Sequence, residues 1–378
     1  MNALSARLGG GQTYIINILK NIPIQSGITV YLLAPLGLDV NNLPLNIKVI
    51  RLASLENPFK RVVWEVLYLR GLLNKLHIDL LFCPGGMLPP FIKGAGVKTA
   101  ITFQNMLPFD YDQRRKYSYG YRRLRDWLLE RLFSASMRQA DLIIFISEFA
   151  KRFIEENLGG DLAQTVVVPH GIHSSFRAVK DACLPKPAWL PNCEYFLYVS
   201  WVDFYKGQLE LVRGFHHYRL LGGEQKLVFV GAEYSPYANL VRQEIVRLGL
   251  FEHIVMIGNV NHAELPAAYQ NAHINIFASF TENCPNILLE MMASGRPALV
   301  SKWGVMPEFG KDAVKYFDPS SPEDFASQLN LLVSDKKLQS YLANAALKES
   351  EKYTWKHAAK KTWQAIENTE RKSVRVYK

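Results

Sequence analysis

Cysteine is scarce in this chain. Cys83, Cys183, Cys193 and Cys284 are the only four among 378 residues. No two of them form a C-x-x-C pair, which excludes a disulfide scaffold and a zinc ribbon. Reduced thiols in a cytoplasmic protein are the expectation. Long apolar runs are lacking as well. The longest, Ile28 to Leu38, falls well short of the roughly 18 residues that a membrane-spanning helix needs. The start of the chain does not follow the basic, apolar, small-residue order of a signal peptide. The expectation is a protein that is soluble or at most lies on a membrane. Glycine (24) and proline (19) are near average, so collagen-like and low-complexity chains are excluded.

Charge of one sign is also limited: 44 Lys and Arg against 34 Asp and Glu leave a net +10. That excess is uneven. Residues 1–180 carry 22 basic and 13 acidic side chains, whereas residues 181–378 carry 22 and 21. The first half is therefore expected to face something acidic, and the second half need not.

With 49% apolar residues, the chain has material for sizeable cores, and its length suggests two domains. Short β-rich runs alternate with helix-period segments throughout, the pattern of a parallel α/β architecture. Strands are expected at Ile28–Ala34, Ile47–Ala53, Ile78–Cys83, Lys98–Phe103, Asp141–Ile146 and Thr165–Val168. In the second half they are expected at Tyr195–Ser200, Lys226–Gly231, Ile254–Gly258, Ile274–Ala278, Pro297–Ser301 and Val314–Phe317. This predicts two doubly wound, Rossmann-like domains. The first would span residues 1–175 and the second 194–352. Residues 176–193, with Pro185, Pro187 and Pro191 and no periodicity, read as a linker. Residues 353–378 read as a C-terminal helix packing back toward the first domain. Gly9-Gly10-Gly11-Gln12-Thr13 feeds a helix pattern at Tyr14, Ile15, Ile18 and Leu19. Only Met1 to Leu8 precede that loop, so a first strand reads as truncated, with the true start expected upstream.

Ligands of such domains lie beyond the carboxyl ends of the strands, which directs attention to two loops. Phe280-Thr281-Glu282-Asn283-Cys284-Pro285-Asn286-Ile287-Leu288-Leu289-Glu290 follows a strand and opens a helix, with Pro285 near the first helical position. Free N–H groups at Asn286 to Leu288 would suit a phosphate. Glu282 and Glu290 would flank it, and carboxylates accept hydrogen bonds from sugar or ribose hydroxyls. On the local pattern alone, a capped helix with two solvated glutamates reads equally well. The other loop follows Tyr198-Val199-Ser200-Trp201 and ends in Lys206-Gly207. A lysine there can neutralise a diphosphate, although a lone Lys-Gly is usually a solvated turn.

The order of these features carries the reading. It runs from the glycine-rich loop through Pro169-His170-Gly171-Ile172, Lys206-Gly207 and the Glu282/Glu290 pair to Ala293-Ser294-Gly295-Arg296-Pro297 and Pro307-Glu308. This closely resembles the family 4 (group 1) retaining glycosyltransferases of GT-B fold, over nearly the whole chain. The resemblance implies two Rossmann-like domains facing across a cleft. It also implies transfer of a hexose from a nucleotide diphosphate sugar, with no metal or other cofactor required. Lys206 would contact the diphosphate, Glu290 the ribose and Glu282 the donor sugar. The backbone of Pro285, Asn286 and Ile287 would cradle phosphate near Ser200, with Gly10 and Gly11 contributed by the other domain. The acceptor would be a glycan or a lipid-linked molecule, as in cell-surface polysaccharide or lipopolysaccharide synthesis. Front-face attack, with the leaving phosphate helping to deprotonate the acceptor, needs no protein nucleophile.

Three departures from the family pattern stand out. Trp201 occupies a position where many members carry Arg. Thr102-Phe103-Gln104-Asn105 stands where many have His-Asp or His-Asn, and Gln104 cannot shuttle a proton. The first strand is short. These departures keep two alternatives open: a non-catalytic nucleotide-sugar or membrane-binding protein, and a nucleotide-sugar epimerase.

Asp110-Tyr111-Asp112 spells the DxD of metal-dependent sugar transferases, but it stands alone after Pro108, and no metal is expected. His216-His217 point apart on a helix, and His170 and His173 have no third ligand nearby. Ser147 is expected to cap the helix Phe149–Glu156. Arg114 to Arg138 interleaves basic residues with Tyr117, Tyr119, Tyr121 and Trp127. It reads either as a peripheral contact with an anionic membrane at its inner face or as the solvated face of a helix. No nucleic-acid motif accompanies it.

Overall fold

The structure, a computed structural model, describes residues 1–6, 9–23, 27–52, 55, 57–93, 95–159, 162–178 and 183–374. The chain divides into two compact units. One comprises residues 1–109, 124–171 and 354–378, and the other residues 110–123 and 172–353.

In the first unit β1 (Val30–Ala34) pairs in parallel with β2 (Ile47–Arg51). A second parallel ladder runs β3 (Leu80–Cys83), β4 (Lys98–Phe103), β5 (Leu142–Phe145) and β6 (Gln164–Val167). Met1 to Ala3 stand between β1 and β3. Asn2 donates its N–H to Phe82 O at 2.8 Å, and Ala3 donates to Leu33 O at 3.0 Å. A single bridge thus stands where a full central strand belongs in a sheet of this kind.

The helices of this half of the sequence are α1 (Gly10–Lys20), α2 (Pro58–Trp64), α3 (Arg70–Lys75), α4 (Tyr111–Arg115), α5 (Tyr121–Gln139) and α6 (Glu148–Leu158). Of these, α4 lies in the stretch grouped with the second unit. Helix α1 forms because Tyr14, Ile15, Ile18 and Leu19 fall on one face and are buried. Ser147 Oγ accepts the Ala150 N–H at 3.1 Å and starts α6, the capping expected from its position.

The second unit holds one six-stranded parallel sheet. Its members are β7 (Tyr195–Val199), β8 (Lys226–Val230), β9 (Ile254–Gly258), β10 (Ile274–Phe277), β11 (Ala298–Ser301) and β12 (Lys315–Phe317). The spatial order is β12-β11-β10-β7-β8-β9. All twelve strands coincide with the runs expected from sequence; Ala53 lies outside the described residues. Helices α7 (Gln208–Leu220), α8 (Ser235–Arg247), α9 (Leu265–Asn271), α10 (Asn286–Ala293), α11 (Met306–Gly310), α12 (Pro322–Ser334) and α13 (Lys336–Ser350) complete this unit.

The last helix, α14 (Trp355–Val374), belongs to the first unit, where Trp363 Nε1 donates to Ile18 O at 3.0 Å. His170 packs in a three-ring cluster with Tyr14 (5.1 Å) and Trp355 (5.4 Å). A Cβ on Gly171 would lie 2.1 Å from the Trp355 backbone nitrogen. Glycine at this point of the Pro-His-Gly motif is therefore required by the close approach of the α14 start.

Two domain expectations need correction. Residues 110–123 pack with the second unit, not with the rest of 1–175. Residues 176–193 are also not a free linker where they are described. Phe176 and Leu190 are buried, Leu184 N–H donates to Gln270 Oε1 at 3.2 Å and Trp189 Nε1 to Glu264 Oε1 at 3.0 Å. Their prolines reflect irregular backbone laid against a surface, which composition does not distinguish from a tether.

Candidate nucleotide-sugar site

In the second sheet the strand order reverses between β7 and β10, the place where an open α/β sheet forms a crevice beyond its strand ends. Both loops singled out from sequence leave the sheet there. After β7, Asp203 caps a short turn, Phe204–Lys206, by accepting the Phe204 N–H at 2.8 Å. Tyr198 fixes the far end of that turn, donating to Lys206 O at 2.5 Å. The turn is tied to the loop after β10, because Phe280 N–H donates to Tyr205 O at 2.8 Å. Gly207 closes it at φ +72°, and a Cβ there would lie 2.6 Å from Ala278 O. Only glycine fits both the left-handed backbone and the close approach.

This geometry brings Lys206 and Glu282 into contact as a salt bridge, with 8% and 16% of their side-chain surfaces exposed. Burial pushes the Lys206 ammonium down, but Glu282, Tyr205 and Asp203 together hold it above its ordinary value. The lysine is therefore a cation fixed beyond the end of β7 by its pairing with Glu282.

Helix α10 starts just beyond. Pro285 is its N-cap, not its first helical residue. The Asn286 N–H is taken by Cys284 O at 2.9 Å. This corrects the expectation of three free donors from Asn286 to Leu288. Ile287 and Leu288 remain as first-turn N–H groups with no earlier turn of the helix to satisfy them. One turn further, Glu290 accepts from the Tyr269 hydroxyl at 3.4 Å and lies 3.9 Å from His262 Nε2. Desolvation pushes the Glu290 carboxyl up to about 8, against the opposing Tyr269 bond. A carboxyl held this far from its usual range in a strand-end crevice is the kind of group that recognition sites carry.

The remaining candidates are placed as follows. Ser200 follows β7, with its N–H on Val230 O at 2.8 Å and its hydroxyl on Trp201 O at 2.8 Å. Gly10 and Gly11 open α1 in the first unit. A Cβ on Gly11 would meet nothing within 4 Å, so that helix start is open. Gln104, also in the first unit, donates to Pro84 O at 2.7 Å. Asp110 serves as the cap of α4, accepting the Gln113 N–H at 3.0 Å, and takes the Thr281 hydroxyl on its other oxygen. Among the described residues no three His, Cys, Asp or Glu side chains are grouped to hold a metal ion. The basic stretch Arg114 to Arg138 is not one surface. Arg114 and Tyr117 are buried and Arg122 pairs with Asp203 at 2.5 Å, whereas Arg115, Trp127 and Arg131 are exposed.

Sequence reasoning missed Asp203, the partners Tyr117 and Arg122 that hold it, and Tyr269 and His262 beside Glu290. An aspartate one residue before a short turn into a helix was the available signal for Asp203. The others lie too far away in sequence to leave one.

Two doubly wound units, the second with a charged pair and a helix start at its topological switch point, are the arrangement of the GT-B architecture. Comparison with known proteins agrees. Residues 8–176 match the model of Glycosyltransferase Family 4, and residues 184–349 match Glycosyl transferases group 1. The chain belongs to the GT-B glycosyltransferase superfamily. It is 26% identical to the lipopolysaccharide 1,2-N-acetylglucosaminetransferase of Salmonella typhimurium, over 60% of this chain and 62% of that one. The curated relatives it matches are covered over 43%, 27% and 62% of their own lengths, under two thirds in every case. Among solved structures, the sucrose-phosphate synthase of Thermosynechococcus elongatus superposes with a TM-score of 0.75 at 17% identity, covering 95% of this chain and 93% of that one. Anabaena HepE, solved with UDP and glucose, gives 0.68 at 18% identity, covering 96% and 97%.

Proposed function

We propose that the protein is a retaining glycosyltransferase that moves a hexose from a nucleotide diphosphate sugar to a glycan or lipid-linked acceptor. The observation that carries this reading is the buried Lys206–Glu282 pair at the β7/β10 switch point, one loop away from the α10 start. Lys206 exchanges Glu282 for the donor diphosphate and neutralises the charge that grows on it as the glycosidic bond breaks. The N–H groups of Ile287 and Leu288 take further phosphate oxygens, which a helix start favours. Glu282, released from the lysine, turns to the donor sugar, and Glu290 takes the ribose hydroxyls. The phosphate that leaves accepts the acceptor proton, so no enzymic nucleophile is used.

The Salmonella relative, named for transfer onto lipopolysaccharide, supports an acceptor in cell-surface polymer synthesis. A cytoplasmic location at the inner membrane face accords with the exposed Arg115, Trp127, Leu128 and Arg131. No described helix is long and apolar enough to cross a membrane.

Thermal melts with UDP, GDP and ADP test the donor site, because a ligand of the native state raises Tm by mass action. One nucleotide is expected to raise Tm in the wild-type protein and to fail with Lys206→Ala. An equal rise in both would remove Lys206 from the site.

A further inference from the structure

The stretch Asp110–Arg123 leaves the first half of the sequence to pack on the second unit. It bonds to the two loops that carry the charged pair, at Asp203 and at Thr281. On one side, the Tyr117 hydroxyl donates to Asp203 Oδ1 at 2.8 Å, and Arg122 Nη2 meets Asp203 Oδ2 at 2.5 Å. Asp203, 2% exposed, is the cap of the turn that ends in Lys206. The Arg122 guanidinium is itself held between two rings, 4.0 Å from Tyr117 and 4.4 Å from Tyr234. On the other side, Asp110 takes the Thr281 hydroxyl next to Glu282, and Lys116 lies 4.3 Å over the Phe280 ring.

We propose that Asp110–Arg123 is a positioning strap of the donor site, with Arg122 and Tyr117 aiming Lys206 through Asp203 and Asp110 aiming Glu282 through Thr281. The proposal rests on the reading of Lys206 as the diphosphate contact and adds residues outside the nucleotide-binding half to that site. The physical reason is orientation. A lysine ammonium on a four-carbon stem has little preference of its own, so its aim depends on a rigid turn beneath it. Asp203 gives that rigidity only while both its oxygens are bonded, since a buried carboxylate without partners draws in water or shifts its backbone. The strap thus affects phosphate binding and leaves the nucleoside contacts near Glu290 alone.

The test is calorimetric titration of the full chain with UDP, GDP and ADP, followed by the monophosphate of whichever base binds. Arg122→Ala is expected to weaken the diphosphate about tenfold and the monophosphate less than about twofold, as for loss of a charge-assisted bond. Arg122→Lys is expected to recover most of the loss. Tyr117→Phe, which removes one hydroxyl and little packing, is expected to weaken the diphosphate about threefold and serves if Arg122→Ala does not fold. Arg247→Ala, on a surface pair with Glu244, is expected to bind as wild type. Unchanged diphosphate affinity in Arg122→Ala and Tyr117→Phe would overturn the strap while leaving the donor site standing. Equal losses for diphosphate and monophosphate would also overturn it, by showing general collapse. Wild-type protein that binds none of the three nucleotides would overturn both the strap and the donor-site reading.

Discussion

Each unit feeds a glycine-bearing loop into a helix, and the two loops are built in opposite ways. In the first unit, Gly9 to Gly11 lead into α1 in the open: Gly9 and Gly10 are exposed, and a Cβ on Gly9 or Gly11 would meet nothing within 4 Å. In the second unit, Asp203 to Gly207 lead into α7 with Asp203, Lys206 and Gly207 buried. The cap is bonded to Tyr117 and Arg122, the lysine to Glu282, and the glycine sits against Ala278. The same local pattern is therefore built in two ways: in the first loop the Gln12 and Thr13 N–H groups turn back to Gly9 O at 3.0 and 3.3 Å with space around the glycines, whereas the second holds Lys206 against Glu282.

The comparison is broken most severely by adding a methyl group at each loop. Gly207→Ala is expected to cost about 2–4 kcal/mol, combining a left-handed backbone with a backbone clash. Gly11→Ala, inside a helix with open space around it, is expected to leave Tm unchanged or slightly raised. Thermal melts of the two variants decide this; similar losses in both would show that the loops are not built differently. A step down in size, Lys206→Ala is expected to lower turnover at least tenfold in a sugar-transfer assay, as removal of a charge-stabilising contact does.

A smaller effect comes from Glu290. The unfolded carboxyl ionises near 4.5, while burial holds the native one to about 8. Between those values the native state keeps a proton that the unfolded chain has lost, so stability falls as pH rises through this window and levels off above it. Glu290→Gln removes that dependence. The Tm advantage of the variant over wild type is expected to grow by a few degrees (about 2–4 °C) from pH 5 to pH 8. A gap that stays constant with pH would contradict the assignment. The smallest effect is expected at the surface. Arg131→Ala, at an exposed position, is expected to weaken binding to anionic vesicles about fivefold, at about 1 kcal/mol per basic residue. Arg122 is the wrong choice there, because it holds Asp203.

Much of the fold was legible in the sequence for a simple reason. Parallel strands buried on both faces are short apolar runs, and Tyr195–Val199 or Ile274–Phe277 could be nothing else between turn residues. Lys206, Glu282 and Glu290 were singled out by the order of the motifs and the family resemblance, because each local pattern by itself read equally well as a solvated turn or a capped helix. The strap was not. Tyr117 and Arg122 meet Asp203 across more than 80 positions, and Asp110 meets Thr281 across 171. Nothing local distinguishes those partners from the solvated arginines beside them. The Asp110-Tyr111-Asp112 spelling, from which no metal was expected, gave no hint that Asp110 holds a helix cap and a threonine hydroxyl. The donor count at α10 was overstated for a similar reason: whether the Asn286 N–H is free depends on the turn at Cys284, which spacing does not reveal.

The central claim is that the second unit holds a nucleotide diphosphate through a lysine fixed at the end of β7. Its most direct test is parallel titration of UDP, GDP and ADP into wild-type protein and Lys206→Ala. The account predicts that one diphosphate binds the wild type and loses at least tenfold in affinity with the variant, while its monophosphate changes little. Equal diphosphate affinity for the two proteins would contradict it.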